Sequence, residues 1–370
     1  MTSVKVFTIV GARPQFVKAA AVSRAVAAHN AAGTARAIDE RIIHTGQHYD
    51  PNMSQVFFDE LQIPRPAVNL DVGSGPHGQQ TARMLERLEE LLTAQRPDWV
   101  LVYGDTNSTL AAALAASKLH VPIAHVEAGL RSFNRRMPEE INRIVTDVLS
   151  SMLLCPTDLA VRNLGNEGIT ANVHQVGDVM YDSVLHNTRL ARSGSRILQA
   201  LGLADKSFYL ATIHRAENTD QPDRLAGILS ALSQLKVPTI LPLHPRTRKT
   251  LGTALGKLAG KVRVIDPVAY LDMLSLEASA RLILTDSGGV QKEAYWFAAP
   301  CVTLRDQTEW MELVDSGCNR LAGADTKAIL EAVGAFEALD CKLDHLAAGS
   351  LYGDGKSSER IVSLLAGSNK

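Results

Sequence analysis

The sequence predicts an α/β protein built from two doubly wound parallel sheets. Three observations predict it. Short apolar runs alternate with helical stretches along the chain, as in repeated strand–helix–strand units. The alternation pauses once, around VHQVGDVMYDSV at residues 173–184, and then resumes. A chain of 370 residues is long enough to bury two separate cores.

The elements follow in order. VKVFTIV (4–10) is a continuous apolar run, as expected of a parallel strand covered on both faces. GARPQ turns, and FVKAAAVSRAVAAH reads as the first helix. RIIHTG and SQVFFDELQI form the next strand and helix, followed by AVNLDV with GQQTARMLERLEELLTAQ. WVLVYGD leads into TNSTLAAALAASKL, PIAHVEAG into EEINRIVTDVLSS, and LLCPT into DLAVRNLGNEG. Residues 187–207 are polar and helical with no flanking strand. FYLATIH, TILPLH, VRVID, RLILTD and CVTLR are then five short strands, each but the last followed by a helix. Right-handed crossovers make each half a Rossmann-like domain, and two such halves facing one another would enclose a cleft. The expected boundaries are 1–177 for the first domain and 178–355 for the second. The last helix, 356–370, is expected to complete the first.

Bulk composition excludes several classes. A net charge of -1 without a basic tract argues against nucleic acid or a membrane surface held by electrostatics. No run of 18 apolar residues predicts a membrane span. Cys155, Cys301, Cys318 and Cys341 lack CxxC spacing, which points neither to a zinc ribbon nor to a disulfide framework and fits the cytosol. Gly73, Gly75 and Gly78 spell GxGxxG, but the run before them is not continuously apolar, so no nicotinamide site is expected. YGDGKSSER ends in a Walker-like GKS, yet Ser350 stands where the first glycine is required.

Ligands of open parallel sheets bind beyond the carboxyl ends of the strands. There the sequence places Arg13, His44, Asp105, Glu127, His214, His244, Asp266 and the Asp286-Ser287-Gly288-Gly289 turn. Any single one reads equally as a cap or turn residue; Asp105 in GDTNST is a good helix N-cap. Eight together are hard to assign to packing. In LILTDSGGVQKE a strand, a glycine turn and a helix start follow one another, the arrangement that presents unpaired N–H groups to a phosphate. Glu293, one turn in, is placed where it could reach ribose hydroxyls. The segment HVEAGLRSFNRRMPEEINR (125–143) carries three carboxylates and four arginines. Pro138, Glu139 and Glu140 make an ordinary helix start, but Glu127 ends a buried strand and needs another explanation. Asp105, Glu127 and Glu139 meeting in one place would have split, raised pKa values suited to acid and base work.

VGARPQFVK, VYGDTNST, HVEAGLRSFNRRMPEEINR, IHRAEN, DSGGVQKE and YGDGKSSERI together resemble the non-hydrolysing UDP-N-acetylglucosamine 2-epimerases of bacteria, from one end of the chain to the other. The resemblance implies the two-domain glycosyltransferase-B architecture, a cytoplasmic homodimer, and no metal or other cofactor. It implies reversible 2-epimerisation of UDP-N-acetylglucosamine to UDP-N-acetylmannosamine. UDP would be eliminated to leave a 2-acetamidoglucal and then added back, in the supply of surface polysaccharide precursors. Carried over, the catalytic groups fall on Asp105, Glu127, Glu139 and His214. Arg13 and His214 would face the diphosphate with Ser287, Gly288 and Gly289. Glu293 would hold the ribose, Tyr270 would border the uracil, and Lys18 and Arg143 would line the sugar pocket. Gln47, Arg215 and His244 match positions of an activator site. Where many members carry Arg in a TERPE segment this chain has Trp310, which removes one positive charge near the nucleotide. TEWMELV and RSFNRRMPEE resemble a subgroup acting on UDP-2,3-diacetamido-2,3-dideoxyglucuronic acid. Arg135 and Arg136 would suit its carboxylate or be plain surface charge. A glycosyltransferase of the same fold and a non-catalytic nucleotide-sugar sensor are the alternatives.

Overall fold

The computed structural model describes residues 3–33, 36–47, 64–243, 248, 252, 261–338 and 351–367. The chain divides into two compact units, Met1–Ser183 with Leu351–Lys370, and Val184–Ser350.

Unit 1 carries strands β1 (Val4–Val10), β2 (Ile38–His44), β3 (Val68–Asn69), β4 (Trp99–Tyr103), β5 (Ile123–Val126), β6 (Met152–Cys155) and β7 (Val173–Gln175). They form one sheet in the order β3-β2-β1-β4-β5-β6-β7, with every pairing parallel. The central strands are buried along their length, which is why they read as unbroken apolar runs. Helices α1 (Arg13–Ala32), α2 (His77–Gln95), α3 (Asn107–Lys118), α4 (Pro138–Leu149) and α5 (Asp158–Asn166) alternate with them. The alanine-rich α3 keeps Ala111, Ala112, Ala113, Ala115 and Ala116 buried against Met84, Leu88 and Leu92 of α2 and against the sheet, because small side chains let the backbones approach. α1 starts at Ala12, where the Gln15 side chain takes the place of a capping hydroxyl. Its Oε1 accepts from Gly11 N at 2.8 Å and Ala12 N at 3.0 Å.

The sheet has one strand more than the sequence shows. Val173–Gln175 is an edge strand of three residues, two of them polar, so it leaves no apolar run to read. The stretch AVNLDV shortens to the two-residue β3 at the other edge. SQVFFDELQI lies outside the described residues.

The change of unit falls at Ser183, not at 177/178, and there are physical reasons. Ser183 Oγ donates to Val17 O at 2.7 Å. The Asp182 carboxylate accepts from Ser357 N at 3.2 Å and Ser358 N at 2.6 Å, capping the last helix, α14 (Ser357–Gly367). Asp178 N donates to Tyr352 O at 2.9 Å, which also holds residues 351–355 to unit 1. α14 buries Ile361, Val362 and Leu365 and packs on α1.

Unit 2 carries β8 (Tyr209–Thr212), β9 (Thr239–Pro242), β10 (Val262–Ile265), β11 (Leu282–Thr285), β12 (Cys301–Thr303) and β13 (Asn319–Leu321), in the order β10-β9-β8-β11-β12-β13, all parallel. Helix α6 (Val179–Gly194) spans the change of unit. α7 (Ile197–Leu201), α8 (Ala216–Thr219), α9 (Pro222–Gln234), α10 (Tyr270–Ser279), α11 (Gly288–Trp296), α12 (Met311–Asp315) and α13 (Thr326–Ala338) complete the described helices. β13 again is a short edge strand, Asn-Arg-Leu, that the apolar pattern does not reveal. One layer of the core joins Leu225, Ile228 and Leu232 of α9 to Ile329, Val333 and Phe336 of α13. The other joins Leu276 of α10 to Val290 and Ala294 of α11.

Candidate active site

In unit 1 the site grows from three turns. β4 ends at Tyr103, and the chain reverses through Gly104 with φ 63°. The angle favours glycine, and a side chain there would also stand close to the site, 3.1 Å from Glu127 Oε2 and 3.4 Å from Lys18 Nζ. β5 ends at Val126, and Glu127 itself takes φ 71°, a strained angle for a residue with a Cβ. The third contribution is the first two turns of α4. Lys18 Nζ forms a close ion pair with Glu127 Oε2. Arg143 Nη1 lies 2.8 Å from Asp105 Oδ2, and its Nη2 lies 3.8 Å from Glu127 Oε2. Lys18 and Glu127 are buried, and Asp105 is half-buried. The carboxylates therefore do not meet bare, as the sequence reading expected: two cations balance two anions. Burial alone would lower the Arg143 pKa, but Asp105 and Glu127 outweigh it and hold the guanidinium charged.

Glu139 stands apart from this cluster. It is exposed in the first turn of α4 and shares no hydrogen bond or ion pair with Asp105 or Glu127 among the described residues. Its neighbour Glu140 is buried and accepts from Ser132 N at 2.7 Å, Ser132 Oγ at 2.8 Å and Phe133 N at 3.1 Å. Glu140 is thus a structural tie for the loop that carries Arg135 and Arg136, both exposed. Arg13 is exposed at the start of α1. His44, placed at a strand end by the sequence, is a packed ring 5.1 Å from Phe16, with burial lowering its pKa.

A buried network that the sequence reading missed lies behind Glu127. His125, Arg131 and Asp147 are all buried. His125 contacts Asp147 at 2.7 Å and the Gly104 carbonyl at 2.8 Å, and Arg131 reaches Asp147 at 2.7 Å and Glu167 at 2.7 Å. Two of these lie in the segment already singled out, but nothing in a sequence tells an inward arginine from an outward one.

Gln47 joins a polar chain of its own unit. Its Oε1 accepts from Ser108 Oγ at 2.6 Å, and Gln80 Nε2 donates to its carbonyl at 3.2 Å. Asn107 Nδ2 donates to Gln80 Oε1 at 2.9 Å, and Asn142 Nδ2 donates to Asn107 Oδ1 at 3.2 Å and to the Asp105 carbonyl at 2.9 Å. His244 lies outside the described residues.

In unit 2 the ends of β8 and β11 meet. Asp286 is buried and accepts from His214 N, Arg215 N and Asn218 Nδ2, each at 3.1 Å. His214 Nδ1 lies 3.0 Å from Asp286 Oδ1. This holds Nδ1 as the N–H and leaves Nε2 on a side chain that is 53% exposed. Burial would raise the Asp286 pKa, but the His214 hydrogen bond and charge bring it below the ordinary carboxylate range. Ser287 caps α11, with Gly288 and Gly289 opening the helix. A side chain on Gly288 would strike Glu309 Oε1 at 2.4 Å and approach Trp310 Nε1 at 3.3 Å, so residues 309–310 pack directly against the glycine turn. Tyr270 Oη donates to Glu293 Oε1 at 3.4 Å. Arg215 lies 3.9 Å from Glu309. At Trp310, the residue that stands where an arginine was noted as missing, the buried Lys292 lies with Nζ 4.2 Å from the ring centre. Asp266 is exposed and pairs with Arg248 at 2.8 Å.

Among the described residues no group of three or more His, Cys, Asp or Glu side chains is arranged to hold a metal ion, and no helix is long and apolar enough to cross a membrane. A family profile described as UDP-N-acetylglucosamine 2-epimerase matches residues 30–366. The chain belongs to the UDP-N-acetylglucosamine 2-epimerase family. Within it, this epimerase-family chain is 53% identical to the UDP-2,3-diacetamido-2,3-dideoxy-D-glucuronate 2-epimerase of Pseudomonas aeruginosa, over 98% of this chain and 99% of that one. It is 44% identical to the UDP-N-acetylglucosamine 2-epimerase of Methanocaldococcus jannaschii, over 98% of both chains. A crystal structure of the M. jannaschii enzyme with UDP-GlcNAc and UDP superposes with a TM-score of 0.84 at 43% identity, covering 98% of this chain and 99% of that one. A UDP-bound transferase from Siraitia grosvenorii shares the fold alone, with a TM-score of 0.62 at 12% identity, over 98% of this chain and 100% of that one.

Proposed function

We propose that this member of the family inverts C2 of a UDP-activated 2-acetamido sugar by eliminating UDP and adding it back. Unit 2 is assigned the nucleotide, with the Ser287–Gly289 helix start and His214 at the diphosphate, Glu293 at the ribose and Tyr270 at the uracil. Unit 1 is assigned the sugar. The C2 proton is not acidic in the intact substrate. As the C1–oxygen bond to UDP breaks, its electron pair leaves with the diphosphate. C1 gains oxocarbenium character, and the C2 proton becomes removable by a carboxylate. The C2–H electrons then form the C1–C2 double bond of a 2-acetamidoglucal. Return of UDP to C1, with a proton delivered to the opposite face of C2, gives the epimer. Asp105, Glu127 and Glu139 are the proton-handling acids, and Lys18 and Arg143 fix the first two. The observation that carries this reading is the convergence of Lys18 and Arg143 on Asp105 and Glu127, at two adjacent strand ends.

Two sugars fit the class. UDP-N-acetylglucosamine, interconverted with UDP-N-acetylmannosamine, is the family's named substrate. The diacetamido uronate is favoured by the 53% identity to the P. aeruginosa enzyme and by the two exposed arginines, Arg135 and Arg136, in the loop that Glu140 anchors. Incubating each substrate in deuterated water tests both readings. Deuterium at C2 of one sugar identifies it as the substrate. Incorporation into neither, with transfer to an added acceptor, would replace epimerisation by glycosyl transfer. A cytoplasmic homodimer serving surface polysaccharide synthesis completes the proposal. Sedimentation checks the dimer.

A further inference from the structure

The His125 ring is completely buried two residues before Glu127. Its Nδ1 lies 2.7 Å from Asp147 Oδ1 and its Nε2 lies 2.8 Å from the Gly104 carbonyl oxygen. A carbonyl oxygen and a carboxylate can only accept. A neutral imidazole has one N–H, so in one of these two contacts acceptor would face acceptor. Asp147 is already occupied as an acceptor, since its Oδ2 receives Arg131 Nη1 at 2.7 Å and Gly129 N at 3.1 Å. Burial would raise its pKa, but His125 and Arg131 together hold it below the usual carboxylate range.

We propose that His125 is a positioning residue, an imidazolium donating from both ring nitrogens that locks the turn carrying Asp105 to the turn carrying Glu127. One bond grips Gly104, the residue before Asp105. The other runs through Asp147 to Gly129 N, two residues after Glu127. Both turns contain left-handed backbone, with φ 63° at Gly104, 71° at Glu127 and 78° at Gly129; glycine adopts such angles freely, so the strain to be held lies at Glu127. The charged surroundings balance. Asp147 on α4 and Glu167 after α5 face His125 and Arg131, and Arg143 lies on α4 beside its own two acids. The Cys155 thiol on β6, pushed up to about 12 by burial, stays neutral. The consequence for turnover rests on the epimerase reading; the protonation state does not.

The test uses the full chain with nitrogen-15 histidine. At about pH 8, where an ordinary histidine is neutral, one of the 11 histidine rings is expected to keep both nitrogens at imidazolium shifts. That ring should vanish from the spectrum of the His125→Gln protein. Absence of any such ring in the natural chain, or a neutral tautomer with the proton moved to Asp147, overturns the proposal whether or not the variant folds. In the folded variant, kcat is expected to drop about 10- to 100-fold, with KM within about threefold because the nucleotide contacts are untouched. An unchanged kcat overturns it. If the natural chain places no deuterium at C2, the epimerase reading fails, while the ring spectrum still decides the clamp.

Discussion

Glu127 holds its carboxylate between two cations on a backbone angle of 71°, a conformation that costs a residue with a Cβ. Replacing it with Gln keeps the shape and removes the carboxylate on which the proposed proton transfer relies. Glu127→Gln is expected to abolish deuterium incorporation while UDP affinity, measured by calorimetry, changes by less than about threefold. A large loss of UDP binding with turnover intact would reverse the assignment. Asp286 plays the matching part in unit 2, orienting His214 while accepting from three other donors. Asp286→Asn is expected to lower kcat by about 100-fold, because His214 loses the partner that fixes its proton. The folded pKa of Asp286 lies below the ordinary value. Its stabilisation is therefore present above the unfolded value of about 3.9 and is lost as pH falls through the folded one. The natural chain should lose stability more steeply than the variant below about pH 4, as read by denaturant melts.

At the scale of the element, two positions separate close packing from local preference. Gly129 follows β5 with φ 78°, and a Cβ there would stand 2.3 Å from the Ala160 carbonyl oxygen. That obstacle is backbone, at the first turns of α5, and cannot rotate away. Gly129→Ala is expected to cost more than about 2 kcal/mol in a urea melt. Glu277 on α10 is completely buried, and neither carboxylate oxygen has a hydrogen-bond partner among the described residues. Burial, with the nearby Glu293 charge, pushes its pKa well up. A raised carboxylate pKa gives stability below the unfolded value that is lost as pH rises through the folded one. Glu277→Met is therefore expected to stabilise unit 2 by about 1–3 kcal/mol at neutral pH, with a smaller gain near pH 4.

The elements also show what a pattern in sequence can carry. VKVFTIV, WVLVYGD and RLILTD are legible because strands covered on both faces must be apolar throughout. The edge strands Val173–Gln175 and Asn319–Leu321 are not legible, because an edge needs no such run. In the site, Glu127 was legible as a carboxylate at a strand end, while Lys18 and Arg143 were named only through the family resemblance. Their contact was not legible, since Lys18 and Glu127 are 109 residues apart and only the sheet order makes β1 and β5 near neighbours.

For the whole molecule, the return of the chain to unit 1 is the feature with a measurable consequence. α14 covers α1 with Ile361, Val362 and Leu365, and Asp182 caps it. Ending the chain before Ser357 would expose that apolar face. The shortened protein is expected to show earlier melting of unit 1 and early tryptic cleavage within residues 1–183, with unit 2 retained as the resistant fragment. Equal resistance of both units would show that α14 contributes little.

The amino-acid sequence by itself determined the α/β class, the presence of two sheets and the residue types gathered at strand ends. Each follows from what water forces on a chain: apolar runs go inside, and glycine and charge mark where they stop. The tertiary structure alone decided that Lys18 and Arg143 face Asp105 and Glu127, that Asp286 holds His214, and that His125 stands between Asp147 and the Gly104 carbonyl. Those are contacts between segments far apart along the chain. Their distances are fixed by the order and register of the strands, which no local pattern records.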